Sequence, residues 1–294
     1  MKTLTSLIRR NTKLFFRDKG MFFTSLITPM ILLVLYATFL ADVYRDSFAT
    51  GLAENAVSDK LVDALVGGQL FSSLLAVCCV TVAFCSNMLM VQDKVTGAGD
   101  DFSITPVKKS VLALGYYLST VFVTLIICII AALCCLIYLA IDGWFYAPMD
   151  LLLIFSDIFL LVMFGVALSS LINHFLSTQG QISAVGTVVS SAYGFICGAY
   201  MPISQFGEGL QTILSFLPGT YGTVLLRNHT MQPIISDMAL PAEAQNAIGD
   251  VVDCNFYFGN TAVTIPVMYA VLGTTIAVLI VLYVLVQKRG NKHT

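Results

Sequence analysis

The chain has 294 residues, of which 57% are hydrophobic and 11% charged, with a formal net charge of −2 and a mean hydropathy of +0.87. An ordinary soluble domain carries about 25% charged residues, so this composition excludes one and specifies a polytopic membrane protein. No nucleic-acid partner is expected of so weakly charged a chain.

At the start, Leu4, Leu7, Ile8, Leu14 and Phe15 recur at helical spacing while Arg9, Arg10, Lys13 and Arg17 fill the complementary positions. The pattern predicts a helix over 1–20 lying in the membrane interface, its basic face toward anionic lipid headgroups and its apolar stripe toward the acyl boundary. Positive-inside anchoring alone explains these charges but not their periodicity. The apolar run that follows is too long for a signal core and no small-residue cleavage site comes after it, so no cleavable signal is expected.

Long apolar runs then occur at Phe22 to Leu40, Leu70 to Val91, Val111 to Ile141, Leu151 to Ile172, Ile182 to Tyr200 and Thr264 to Val286. A helix needs about 20 apolar residues to cross a bilayer and satisfies its own backbone in lipid. The runs lack the alternation of barrel strands. They predict an all-α membrane domain of six transmembrane helices over 1–294, with both termini on one side. The third run, 31 residues long, exceeds a hydrocarbon core of about 30 Å at roughly 1.5 Å per residue, so its first turns should protrude into water.

Twelve of the fifteen lysines and arginines fall on the termini's side, which predicts cytoplasmic termini. Twelve acids fall on the opposite side and four with the termini. The cytoplasmic loop at 92–110 is polar, contains Gly97 and Gly99, and closes with Pro106. Its Phe102 and Ile104 have no core to join in so short a segment, which suits either docking to a partner protein or a simple connector.

Asp157 is the one acidic residue well inside a run, seven residues from its polar outer end and so about 10 Å deep. Intramembrane carboxylates mark a pathway or a pair, or bond locally near the interface. The fifth run carries Gly186, Ser190, Gly194 and Gly198 at successive i+4 positions, with Ser183, Thr187 and Ser191 on an adjoining face. Small residues at this spacing let helices approach closely in lipid. Such a face serves packing, pairing with a second copy, or a substrate path to which Tyr193 and Phe195 add aromatic surface.

From Phe195 to Met231 the apolar sequence is interrupted by Gly198-Ala199-Tyr200-Met201-Pro202 and by Leu217-Pro218 before reaching Arg227. Neither Ser204 to Phe216 nor Thr220 to Asn228 is long enough to cross. The stretch 201–231 therefore reads as a re-entrant hairpin on the outer side, with an amphipathic surface loop as the other solution. Seven of the eight cysteines fall within spans, Cys254 alone lying outside, and their spacing gives no tetrahedral metal set.

No phosphate-binding G-x-x-x-x-G-K-[ST] loop occurs, nor a nucleophile elbow or H-E-x-x-H, so the chain is not expected to be an enzyme. Taken in order, Leu7 to Lys19 leading into a span with Pro29, Ile104-Thr105-Pro106-Val107 after the Asp93 to Asp101 stretch, and the interrupted Gly198 to Arg227 segment resemble the type 2 ATP-binding-cassette export permeases. The similarity spans nearly the whole chain. Where that family commonly shows a glutamate-rich entry followed by Gly-Thr, this chain has Asp93-Lys94 and Thr96-Gly97.

The resemblance implies a bacterial plasma-membrane half-transporter: two permease subunits, identical or different, with two cytoplasmic ATPase subunits that hold the ATP and Mg. It makes 1–20 a connecting helix. It makes 92–110 the coupling loop, with Asp93, Lys94, Thr96, Gly97, Asp101, Phe102, Ile104, Thr105 and Pro106 as docking candidates. Ser183, Thr187, Ser190, Ser191, Tyr193, Gly194 and Phe195 become the substrate path or dimer face, and Met201, Pro202, Leu217, Pro218 and Arg227 the external gate. The expected cargo is an amphiphilic or hydrophobic molecule moved outward. An ion- or proton-coupled secondary transporter or channel using Asp157 is the alternative, although spans one to three and four to six lack the matching interruptions of an internal repeat.

Overall fold

The computed structural model describes residues 2–51, 58–103, 105, 107–238, 240–259 and 261–290. Helix α1 (Lys2–Arg17) precedes α2 (Lys19–Leu35), which continues through a π-helical turn at Tyr36–Leu40 into α3 (Ala41–Gly51). Then follow α4 (Asp59–Val95), the short α5 (Ala98–Ser103), α6 (Lys109–Asp142), α7 (Pro148–His174) and α8 (Gln179–Ile196). A 3-10 turn leads to α9 (Glu208–Ser215) and α10 (Pro218–Asp237), and α11 (Ala242–Val251) and a two-stranded hairpin, β1 (Tyr257–Phe258) and β2 (Thr261–Ala262), come before α12 (Ile265–Gly290).

Local sequence sets several of these boundaries. Asp18 caps α2 by accepting from the Met21 amide at 3.1 Å, and Pro148 opens α7 where its missing donor costs nothing. Thr178 and Gln181 form a reciprocal capping box at the start of α8. The same helix stops at Gly198, whose φ of +73° is left-handed, while the amides of Ala199 and Tyr200 both return to the Gly194 carbonyl at 2.9 and 3.0 Å.

Among the described residues, five helical segments are long and apolar enough to cross a membrane: Lys19–Asp46, Asp59–Val95, Lys109–Ile141, Pro148–His174 and Ile265–Gln287. The fifth predicted run is the 18-residue α8, which ends four residues before Tyr200. Its glycines, serines and terminal glutamines keep it less apolar than the other five. Helix α4 forms the axis of the bundle, with 94% of its most apolar window buried against 24% for the first segment and 17% for the last. It packs on α2, α6, α7, α8 and α10.

The interrupted region is more structured than its length suggested. Helix α10 runs 20 residues, well past Asn228, and packs on α4, α7 and α12. It is buried along most of its length despite carrying Arg227, Asn228 and His229. Helix α9 and its C-cap instead expose Leu210, Ile213 and Phe216. Cys254, expected outside the spans, is nonetheless only 2% exposed. Burial drives its thiol up to about 12, so it is a packing residue there.

Candidate functional site

The residues singled out by the sequence fall, among the described residues, at three polar junctions and one groove. The first junction joins the N-terminal helix to the end of α4. Arg10 reaches Asp93 with both guanidinium nitrogens, Nη1 to Oδ2 at 2.7 Å and Nη2 to Oδ1 at 3.1 Å. The Tyr116 hydroxyl of α6 donates to the same carboxylate. Beside it, Asn11 Nδ2 donates to Ser119 Oγ at 3.3 Å. The hydrogen bond to Asp93 raises Arg10 above its ordinary range against the opposing effect of burial, so the guanidinium keeps its charge at any pH the protein meets. The Arg10 guanidinium carbon also lies 5.1 Å from the centre of the Phe102 ring on α5.

These contacts show where the predicted coupling residues stand. Asp93 is buried and faces inward. Lys94 Nζ donates to the carbonyls of His174 at 2.9 Å and Leu176 at 3.4 Å, joining the end of α4 to the end of α7. Thr96 bonds back to Gln92, and Gly97 takes the left-handed φ of +80° that turns the chain into α5. Asp101 and the half-buried Phe102 lie on α5. Thr105 is exposed and bonds to the Phe102 carbonyl. Ile104 and Pro106 lie outside the described residues.

The second junction surrounds Asp157, which is 1% exposed. His229 Nδ1 of α10 lies 2.6 Å from its Oδ2, and the Tyr269 hydroxyl of α12 donates to its Oδ1 at 2.5 Å. Its partners therefore come from two other helices, so of the readings open to Asp157 the structure shows a tertiary pair and not a local bond. A buried carboxylate without such partners is costly in lipid. Sequence reading left His229 out because it lies 72 positions away.

The third junction holds the ends of the interrupted segment. Arg227 is the largest fully buried side chain among the described residues; its Nη1 donates to Asp253 Oδ2 at 3.3 Å and its Nη2 to the Gly198 carbonyl at 2.7 Å. Asp253 also accepts from the amides of Ile203 and Ser204. Asn228 donates to the Cys254 carbonyl at 3.0 Å. Of the other predicted gate residues, Pro202 is buried at the start of the 3-10 turn and Met201 is half-buried beside it. Leu217 and Pro218 form the start of α10.

The groove, of about 660 Å³, lies between α2, α4 and α8 and is lined by Ser183, Thr187, Ser190 and Ser191. Thr187 and Ser191 bond back to their own helix, so they present a weakly polar wall without unmet donors. Tyr193 does not join them: its ring lies against Gly219 of α10 inside the bundle. Gly194 is covered by the Tyr200 ring. Phe195 is exposed and meets Tyr200 edge-to-face at 4.9 Å.

The molecule is a bundle of long apolar helices whose basic N-terminal helix is bonded to the end of α4. The family model described as ABC-2 type transporter matches residues 2–230. The chain belongs to the ABC-2 type transporter family. The match runs from α1 into α10 and so takes in Arg10, Asp93, Asp157, Arg227 and His229. No curated protein matches the chain. As an ABC-2 permease the chain is the membrane component of an ABC transporter, not itself the catalytic part. Membership implies association with an ATP-binding-cassette ATPase. Asp253, the partner of Arg227, lies beyond the matched region of this ABC-2 permease.

Proposed function

We propose that this ABC-2 permease exports an amphiphilic or hydrophobic substrate, driven by a separate ATPase subunit that binds ATP and Mg. The observation that carries this reading is the Arg10–Asp93–Tyr116 junction. It bonds the interfacial helix and α6 to the base of the central helix, at the point where the 92–110 loop begins. A push on that loop by a closing ATPase pair is thereby delivered to three elements together. Asp93 and Lys94 act inside this lever, while Thr96, Gly97, Asp101, Phe102, Ile104, Thr105 and Pro106 belong to the docking segment.

In this reading α8 is the sixth spanning element and both termini are cytoplasmic. The α9–α10 hairpin returns to the outer face as a gate held by Arg227. The groove beside Ser183, Thr187 and Ser191 faces a second permease, identical or different, and borders the substrate path. Two ATPase copies complete the transporter in a bacterial plasma membrane. The test is reconstitution in proteoliposomes with a copurifying ATPase. Substrate-stimulated hydrolysis appears only in the complex, and robust transport by the lone chain without ATP overturns the proposal.

The buried Asp157–His229 pair favours a second reading, an ion- or proton-coupled transporter or channel, because a carboxylate and an imidazole at 2.6 Å can share a proton. Gradient-driven transport abolished by Asp157→Asn is its signature.

A further inference from the structure

A second cavity, of about 600 Å³, opens between the first spanning segment, α4 and α6, at the end of α4 far from Asp93. Its size falls within the roughly 300–1,000 Å³ of pockets that take small organic ligands. Its lining is graded. Asp42, Arg45 and Asp63 stand at one end, while Leu33, Leu70, Phe71 and Tyr138 supply apolar wall. Arg45 lies twelve residues beyond Leu33, and Asp63 eight before Phe71, so charge and wall are separated by about 12–18 Å along the helices.

Two features make this more than a crevice for lipid tails. Arg45 is paired with Asp63, so the three charges leave a net −1 centred on Asp42. Deeper in, Tyr36 is 5% exposed and its hydroxyl is buried with no hydrogen-bond partner. That tyrosine opens the π-helical turn Tyr36–Leu40, a backbone irregularity frequent at functional sites. A plain hydrocarbon leaves the buried hydroxyl uncompensated and the charged mouth unused. An amphiphile with an ammonium head and an oxygen function below it satisfies both, while its tail covers the apolar wall.

We infer that this cavity is a binding site for a primary-amine amphiphile, separate from the groove beside α8. The inference does not depend on the direction or energy source of transport. The same ammonium chemistry is offered by a free long-chain amine and by an aminoethyl phospholipid.

A native reporter tests it. Cys134 lines the cavity and is exposed, Cys135 beside it is half-buried, and the other six cysteines are buried. With the chain in phosphatidylcholine nanodiscs, maleimide labelling at Cys134 is followed by mass spectrometry. Dodecylamine at about ten times its Kd slows labelling about tenfold, whereas dodecyl sulfate at the same concentration does not. Asp42→Asn, at an exposed position, weakens protection by the amine. Asp42→Asn/Asp63→Asn leaves Arg45 alone and transfers protection to dodecyl sulfate. Protection already present in phosphatidylethanolamine nanodiscs identifies a resident lipid as the ligand, and protection only on adding dodecylamine identifies a free amine. Equal protection by both detergents, no protection by the amine in either nanodisc, or amine protection unchanged in Asp42→Asn overturns the inference.

Discussion

Arg227 and Asp253 form an ion pair at 3.3 Å with side chains only 1% and 5% exposed, and each also bonds backbone on the far side of the α8 break. The pair thus fastens three separate stretches: the end of α8, the middle of α10 and the turn after α11. Removing one partner strands the other charge in a dry site, which costs about 3–5 kcal/mol. Arg227→Met is therefore expected to lower the thermal midpoint markedly. Asp253→Asn suits the left-handed φ of 55° at that position, so its loss of stability reports the charge and not the backbone. A melting curve of either variant matching the parent chain contradicts the assignment.

The Arg10–Asp93 junction is partly solvated on the arginine side, 32% exposed, so its contribution to stability is modest. Its geometry matters more. Arg10→Lys keeps the charge but loses the two-pronged contact. Under the proposed lever mechanism it lowers the amount of substrate moved per ATP hydrolysed while leaving the fold intact. Measuring both rates in proteoliposomes with the ATPase checks this, and an unchanged ratio removes Arg10 from the lever.

Asp157 separates the two transport readings. If ATP drives export, the parent chain shows no gradient-driven uptake in liposomes and Asp157→Asn keeps ATP-dependent transport. Tyr269→Phe deletes a single hydroxyl donor to Asp157 and is expected to cost about 1–3 kcal/mol in a stability assay.

Glycines in this bundle differ sharply in the space around them. A Cβ at Gly165 of α7 would lie 2.8 Å from the Cys79 carbonyl oxygen and 3.0 Å from Val80 Cα. Because both are backbone atoms of α4, Gly165→Ala must push the two helices apart, at about 1–3 kcal/mol. At Gly273 of α12 nothing lies within 4 Å. There Gly→Ala is expected to stabilise by about 0.4–1 kcal/mol through the unfolded state. Parallel thermal melts of the two variants should move in opposite directions.

How much of the site was legible depended on sequence distance. The α1 periodicity and the Thr178–Gln181 box are local patterns. Asp157 stood out as a charge in an apolar run, yet its partners His229 and Tyr269 are 72 and 112 positions away. The resemblance to the export permeases makes Asp93 a docking candidate. Its inward direction follows from Arg10 and Tyr116, which no spacing rule connects to it.

The chain's own composition and patterning determined that it is a helical membrane protein, where its long helices lie, and that its first helix is amphipathic, because lipid forces each spanning backbone to satisfy itself locally. Only the tertiary structure decided that α4 is the axis and that α10 is a continuous 20-residue helix within the bundle. By local hydropathy a helix carrying Arg227, Asn228 and His229 belongs in water. It is stable inside because Asp253, the Cys254 carbonyl and Asp157 meet those side chains from elsewhere in the chain. Buried polarity is permitted by its partners, and those are set by the packing of distant helices.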